Sequence, residues 1–252
     1  SPASVPKHGS GFDAAIAVAS LATESSMDAT SVASAVHIGE LGLDGRLRPV
    51  PGVLPAVVAA RRAGHRRVVV PYANGPEAAL VDGVEVLAAV NLAQVIAWHG
   101  GEVEVPDVDP VALPDDEDEP EPALDLAEVI GQRDAVEALV VAAAGGHHLL
   151  MCGPPGAGKT MLARRLPGIL PELDDRAALA AASMRSLAGS RVVELSRTPP
   201  FVAPHHSASV AALVGGGTRV VRPRAIARAS GGVLFLDEAG EVTARPLGAP
   251  RR

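Results

Sequence analysis

Gly153-Pro154-Pro155-Gly156-Ala157-Gly158-Lys159-Thr160 is the stretch that decides how this 252-residue chain is read. It fits the phosphate-binding pattern G-x-x-x-x-G-K-[ST]. His147 to Met151, just before it, is a short apolar run that predicts a strand, and Thr160 to Arg165 predicts a helix after it. In that order the glycines let backbone N–H groups curl around phosphate oxygens, and the helix N-terminus adds a favourable dipole. Lys159 is placed to neutralise the β- and γ-phosphates, and the Thr160 hydroxyl to ligate Mg²⁺. Gly153, Pro154, Pro155, Gly156, Ala157, Gly158, Lys159, Thr160 and the following Met161 are therefore the expected nucleotide-binding residues, with ATP and Mg²⁺ as cofactors. By average residue usage, a chance match in this length is on the order of one chain in a hundred.

Further along, Gly231-Gly232-Val233-Leu234-Phe235-Leu236-Asp237-Glu238 reads as a buried strand that ends in two acids. In P-loop ATPases such a strand lies beside the P-loop strand, and its Asp holds the Mg²⁺ water shell. Asp237 is thus the expected metal acid, together with Thr160, and Glu238 the general base that polarises the attacking water. Lys159 and Glu238 are the expected catalytic pair. A hydrophobic run ending in Asp-Glu says little alone; beside a P-loop it says much.

Composition is consistent with this reading. Hydrophobic residues make up 48% and charged residues 20%, ordinary globular usage that excludes wholesale disorder. One cysteine, Cys152, excludes a disulfide framework and a cysteine-based zinc site. There is no basic start followed by an apolar stretch, and no uncharged run is longer than 138–158, which is interrupted by Gly, Pro and His. The sequence therefore predicts a soluble, cytoplasmic chain with no membrane partner. The net charge of −7 hides an asymmetry: residues 1–124 hold 7 Lys+Arg against 18 Asp+Glu, and residues 125–252 hold 15 against 11. A basic arm on an acidic protein suggests an anionic partner.

Residues 106–124 contain several prolines and the acidic run 115–119, a self-repelling composition that predicts an extended linker. It separates an N-terminal domain, 1–105, from an ATPase core, 125–252. The N-terminal half predicts helices at Asp13–Leu21 (capped by Asp13), Val53–Ala63 and Asn91–Trp98, and strands at Val36–Leu41, Arg67–Val70 and Val84–Ala89. It is α/β without obvious cofactor chemistry.

The set DLAEVIGQ (125–132), GPPGAGKTMLARRLPGILP (153–171), Pro204-His205-His206-Ser207 and GGVLFLDE (231–238) resembles the YifB/ComM family of magnesium chelatase-like AAA+ ATPases. SPASVPKHGSGFDAAIA at the start and GELGLDGRLRPVPGVLPAVVAARRAG (39–64) resemble that family's N-terminal domain, which is related to the Lon protease domain. The resemblance covers nearly the whole chain. It implies a Lon-protease-like (ribosomal S5 domain 2-like) α+β domain followed by a partial P-loop AAA+ α/β domain. It also implies an ATP-driven homo-oligomeric ring, typically hexameric, with DNA as partner and, for ComM-like members, branch-migration helicase activity. Gln132 falls where AAA+ proteins place an adenine-side segment. Arg219, Arg222, Arg224 and Arg228 could meet phosphates in a ring pore. His205 and His206 lack a third ligand at suitable spacing for a metal. The Lon-like half raises proteolysis, with Ser10 near the nucleophile position. Leu54 stands where Lon carries its lysine, Lys7 is too near Ser10 to replace it, and a hydroxyl without a base is a weak nucleophile.

Two departures from the family set alternatives. The chain starts at Ser1-Pro2 inside the family's N-terminal domain, and it stops fifteen residues after Asp237, before the sensors, arginine finger and lid. Residues 239–248 also gain Pro and Gly where a helix is expected. One alternative is therefore a truncated or frameshifted fragment that only binds nucleotide; a further one is the magnesium chelatase ATPase subunit itself. Because a finger contributes on the order of 10³–10⁵ in related systems, the family comparison predicts slow hydrolysis by this chain alone.

Overall fold

The computed structural model describes residues 9–23, 26–113, 124–204 and 223–237. The chain forms two compact units, residues 1–118 with 185–194, and residues 119–184 with 195–252.

The first unit is built on a three-stranded parallel sheet in the order β1 (Ala35–His37), β4 (Arg67–Pro71), β5 (Glu85–Ala89). Val68, Val69 and Val70 in the middle strand are all 0% exposed. A central parallel strand is covered on both faces, so the run shows no alternation. Burying each valine contributes about 1.5–3 kcal/mol relative to leaving it in water. Around the sheet lie α1 (Asp13–Leu21), α2 (Ala29–Ser34), α3 (Val53–Arg62), α4 (Gly75–Ala78) and α5 (Leu92–Trp98). A core of Ala14, Val18, Met27, Leu47, Val69, Ala89 and Val95 sits between them.

Most expected elements of this half form, with three instructive differences. The run Val36–Leu41 does not make one strand. It breaks at Gly39 (φ 151), which lies close against the Pro71 ring, and resumes as β2 (Glu40–Leu41), which pairs antiparallel with β3 (Leu47–Arg48). Asp13 is not the cap of α1: a 3-10 turn at Ser10–Phe12 leads in, and Asp13 becomes the first helical residue, where its charge favours the helix dipole. The unit also takes in residues 185–194, the end of a helix from later in the chain and the segment that follows it. Ser186 and Val192 are both 2% exposed within it. By contrast, Asn91 caps α5 as expected, its Oδ1 accepting from the Gln94 N–H at 2.9 Å. Residues 106–113 form no helix or strand.

The second unit contains α6 (Arg133–Gly145), α7 (Lys159–Ala163), most of α8 (Asp175–Ala188), β6 (Phe201–Val202), α9 (Ala225–Arg228) and β7 (Val233–Leu234). β6 and β7 pair in parallel. Gly232 is required there, because a Cβ at that position would stand 2.1 Å from the Pro200 carbonyl oxygen. The adjacent Val233 N–H donates to that same oxygen at 2.8 Å, so side chain and ladder compete for one space.

The strand expected at His147–Met151 is absent from the described structure. A strand exists only when neighbouring backbone satisfies its N–H and C=O groups. Among the described residues, β7 spends its pairing on β6, and no ladder reaches 147–151. Leu150 accordingly stays 81% exposed.

Candidate functional site

The site lies within the second unit. Leu126, Leu139 and Leu162 form its small core, and Met151 packs against them. Beyond Met151 the chain emerges, with Cys152 through Gly156 exposed. Gly156 (φ 80) and Gly158 (φ 82) take left-handed conformations that a side chain would strain. Between them, the Ala157 N–H donates to the Pro154 carbonyl at 3.2 Å and closes the turn. Gly158 then opens α7, and its carbonyl accepts from the Leu162 N–H at 2.9 Å. Because Leu162 and Ala163 are buried, the helix start is fixed while Lys159 and Thr160 remain half-exposed beside the loop.

The Lys159 ammonium donates to the carbonyls of Gly153 (2.9 Å) and Pro154 (3.1 Å), spanning the loop. An ammonium has three protons, so one is left for another acceptor. The Thr160 hydroxyl donates to the Asp237 carboxylate at 3.4 Å. The structure thus brings the glycine-rich loop and the acid after β7 to one place.

Two further groups lie around the loop and the helix it opens. Gln132 is the single described non-glycine residue with positive φ (51°), and its amide nitrogen lies 3.1 Å from where a Gly158 Cβ would stand. The residue expected on the adenine side therefore sits against the loop. Arg165, whose side chain is 12% exposed, donates to the Asp125 carbonyl (2.9 Å), the Met161 carbonyl (3.1 Å) and the Glu128 carboxylate (2.9 Å). It ties the segment before α6 to the helix after the loop. Sequence reading missed it, since two of its acceptors, Asp125 and Glu128, lie 40 and 37 positions away and leave no spacing signal.

Other expected residues fall elsewhere. Glu238, Arg219, Arg222, His205, His206 and Lys7 lie outside the described residues. Arg224 and Arg228 bracket the short helix α9. No group of three or more His, Cys, Asp or Glu among the described residues could hold a metal ion. In the first unit, Leu54 is 0% exposed and its N–H donates to the buried Glu77 carboxylate. Ser10 donates to Glu40, an acceptor the sequence did not reveal, and Glu40 is also 3.7 Å from the Arg48 guanidinium.

Mixed α/β architecture with parallel strands, and a glycine loop leading into a helix, are consistent with a P-loop AAA+-like fold. The family model for magnesium chelatase, subunit ChlI, matches residues 125–252, and a second model for subunit ChlI of Mg-chelatase matches residues 1–74. The chain belongs to the YifB/ComM family of magnesium chelatase-like proteins. It is 50% identical to a Mycobacterium tuberculosis protein, over 100% of this chain and 50% of that one. It is 42% identical to competence protein ComM of Haemophilus influenzae, over 100% of this chain and 49% of that protein. A shorter stretch, 23% of the chain, is 37% identical to Lon protease 2 of Bacillus subtilis and covers 11% of that protein. The chain spans about half the length of the first two relatives. No helix among the described residues is long and apolar enough to cross a membrane.

Proposed function

We propose that this chain is an ATP-binding ATPase that couples ATP hydrolysis to remodelling of DNA, working as a homo-oligomeric, hexameric ring in the cytoplasm. The observation that carries the nucleotide reading is the approach of Thr160 to Asp237, 3.4 Å across 77 residues of sequence. A hydroxyl and a carboxylate are hard oxygen donors of the kind Mg²⁺ takes, so the residues fit the metal. When bound, the ion supplies positive charge to the β- and γ-phosphate oxygens. Within Gly153–Met161, Gly156, Gly158, Lys159, Thr160 and Met161 offer backbone N–H groups toward the phosphates, with Gly156 and Gly158 already in the required left-handed turns. Lys159 offers its remaining proton to a phosphate oxygen while its other two hold the loop. Glu238, one residue beyond Asp237, accepts a proton from the attacking water.

Kinship with competence protein ComM and the arginines of the C-terminal half support the DNA part of the reading. The resemblance of residues 1–17 and 39–64 to the Lon-related N-terminal domain supports a Lon-like fold for the first unit, used as a collar rather than a protease. Buried Leu54 at the lysine position favours that use.

ATP turnover measured with and without single-stranded DNA tests the reading. We expect turnover that DNA raises and that Glu238→Gln abolishes while ATP still binds. A chain that binds no ATP in the presence of Mg²⁺ overturns it.

A further inference from the structure

Residues 1–124 hold 7 Lys+Arg, and four of them fall within seven positions, Arg61, Arg62, Arg66 and Arg67. Arg61 and Arg62 occupy the last turn of α3 and are exposed, as is Arg66 in the turn that follows. That turn and Gly83 lie where β4 and β5 begin, so the arginines gather at one end of the parallel sheet. The Arg66 Nη1 lies 3.3 Å, and the Arg61 Nε 4.0 Å, from where a Gly83 Cβ would stand. Two guanidinium groups therefore converge on one point of the surface.

Their electrostatic surroundings are unusual for this unit. Arg46 pairs with Asp44, Arg48 with Glu40, and Arg67 with Glu85. Among the described residues Arg61, Arg62 and Arg66 have no carboxylate partner. The acids that flank Gly83 in the sequence are exposed Asp82 and Glu85, already paired with Arg67. In a half-chain that carries 18 acids, these arginines form no ion pair among the described residues, Arg66 having only the neutral Gly83 carbonyl at 3.4 Å, and so suit an external anion.

We infer that Arg61, Arg62 and Arg66 form a docking surface for the phosphodiester backbone of a nucleic acid, on the unit that does not carry the P-loop. Guanidinium forks match phosphate oxygens, and several on one short stretch suit a ligand with many phosphates in a row. A lipid surface fits less well, because an interfacial site needs apolar anchors beside its cations. The exposed large apolar residues of this unit, such as Phe12, Ile16, Leu43 and Tyr72, lie outside both 61–67 and 81–85. The inference rests on the nucleic-acid part of the proposed function and assigns it a second contact.

The test measures the affinity of the full 252-residue chain for labelled double-stranded and single-stranded oligonucleotides between about 50 and 200 mM salt. Each phosphate contact adds about 0.9 to the salt slope on duplex DNA and about 0.7 on single strands. The triple variant R61Q/R62Q/R66Q should bind more weakly at low salt, with a slope shallower by about two to three on duplex DNA. Arg62→Gln alone should lower it by about one, which keeps the test decisive if the triple variant does not fold. Arg46→Gln with Arg48→Gln, which removes two paired arginines, should leave the slope unchanged. An unchanged slope in both patch variants overturns the docking surface while the DNA reading stands, and so does an equal loss in the control. A parent chain that binds no DNA overturns both. Binding to phosphatidylglycerol vesicles through these arginines, with none to DNA, makes the surface a membrane contact and also overturns the inference.

Discussion

The Thr160 hydroxyl lies 3.4 Å from the Asp237 carboxylate, although 77 residues separate them. Nothing local brings them together. Thr160 is held because Leu162 and Ala163, in the same short helix, are buried. Asp237 follows a strand whose pairing with Phe201–Val202 fixes its position, aided by the Phe201 and Phe235 rings stacked 6.0 Å apart. The two residues report that both halves of the proposed nucleotide site are folded around each other.

Lys159→Ala should weaken ATP binding by about 10- to 100-fold, the worth of a hydrogen bond to a charged group of about 1.5–3 kcal/mol. The fold should survive, since among the described residues the Lys159 ammonium is partnered only by the loop carbonyls of Gly153 and Pro154. Calorimetric titration with ATP and Mg²⁺ checks this. Equal affinity in the two proteins removes the loop from the site.

Gly232→Ala should destabilise the second unit by about 1–3 kcal/mol through overpacking. Its new methyl would meet the Pro200 carbonyl oxygen at 2.1 Å, and that oxygen must stay to accept from the Val233 N–H. If the strand shifts to relieve the clash, Asp237 moves with it and ATP affinity falls as well. A denaturation midpoint equal to the parent's refutes the steric reading.

The loop was legible because its chemistry needs specific residue types at fixed offsets: glycines at 156 and 158, then Lys159 and Thr160. Helix α5 was legible for a similar reason, since Asn91 is a strong local cap. The strand at 147–151 was misread because an apolar run specifies burial, whereas a strand needs a partner supplied from elsewhere. Arg165 and the cluster around Glu77 were invisible for the same reason. Their defining contacts reach across 23 to 132 positions, and only folding brings those together.

Glu77 gives the clearest case. It is 7% exposed, and its carboxylate accepts from the Asn74 amide (2.6 Å), the Ser186 hydroxyl (2.6 Å) and the Leu54 N–H (3.3 Å) at the start of α3. Burial pushes its pKa above the usual carboxylate value, while these donors pull it back. Glu77→Gln should still cost about 1–3 kcal/mol, although it removes the buried charge. Its oxygen can serve Ser186 and Leu54, but its NH₂ then faces the Asn74 NH₂, donor against donor. Chemical denaturation reads the difference, and a Gln variant more stable than the parent would falsify this.

The first unit should lose stability as pH falls from about 6.5 to about 4, and His37 is the group responsible. Its Nε2 lies 2.9 Å from the Nε2 of His99, whose Nδ1 is 2.9 Å from the Ser31 hydroxyl. Only one proton fits between the two Nε2 atoms, so the pair holds while at least one ring is neutral there. Burial, and then the neighbouring His99, lower the His37 pKa from the ordinary 6.5 to about 4. His99 is lowered too, by burial and then by Arg67, with Asp28 opposing. Below about 6.5 the unfolded chain takes up a proton that the folded chain resists, so falling pH favours unfolding. Below about 4 both states are protonated at His37 and its effect levels off. His37 is only half-buried, so after screening by solvent the total is about 1–2 kcal/mol. Glu77 acts in the opposite sense: with a raised pKa, it costs stability as pH rises past the ordinary 4.5. The measurement is therefore a difference, the pH profile of the parent against that of His37→Gln, in which Glu77 contributes equally and cancels. The parent should lose more stability than the variant between pH 6.5 and 4, and profiles of the same shape would exclude the histidine pair as the cause.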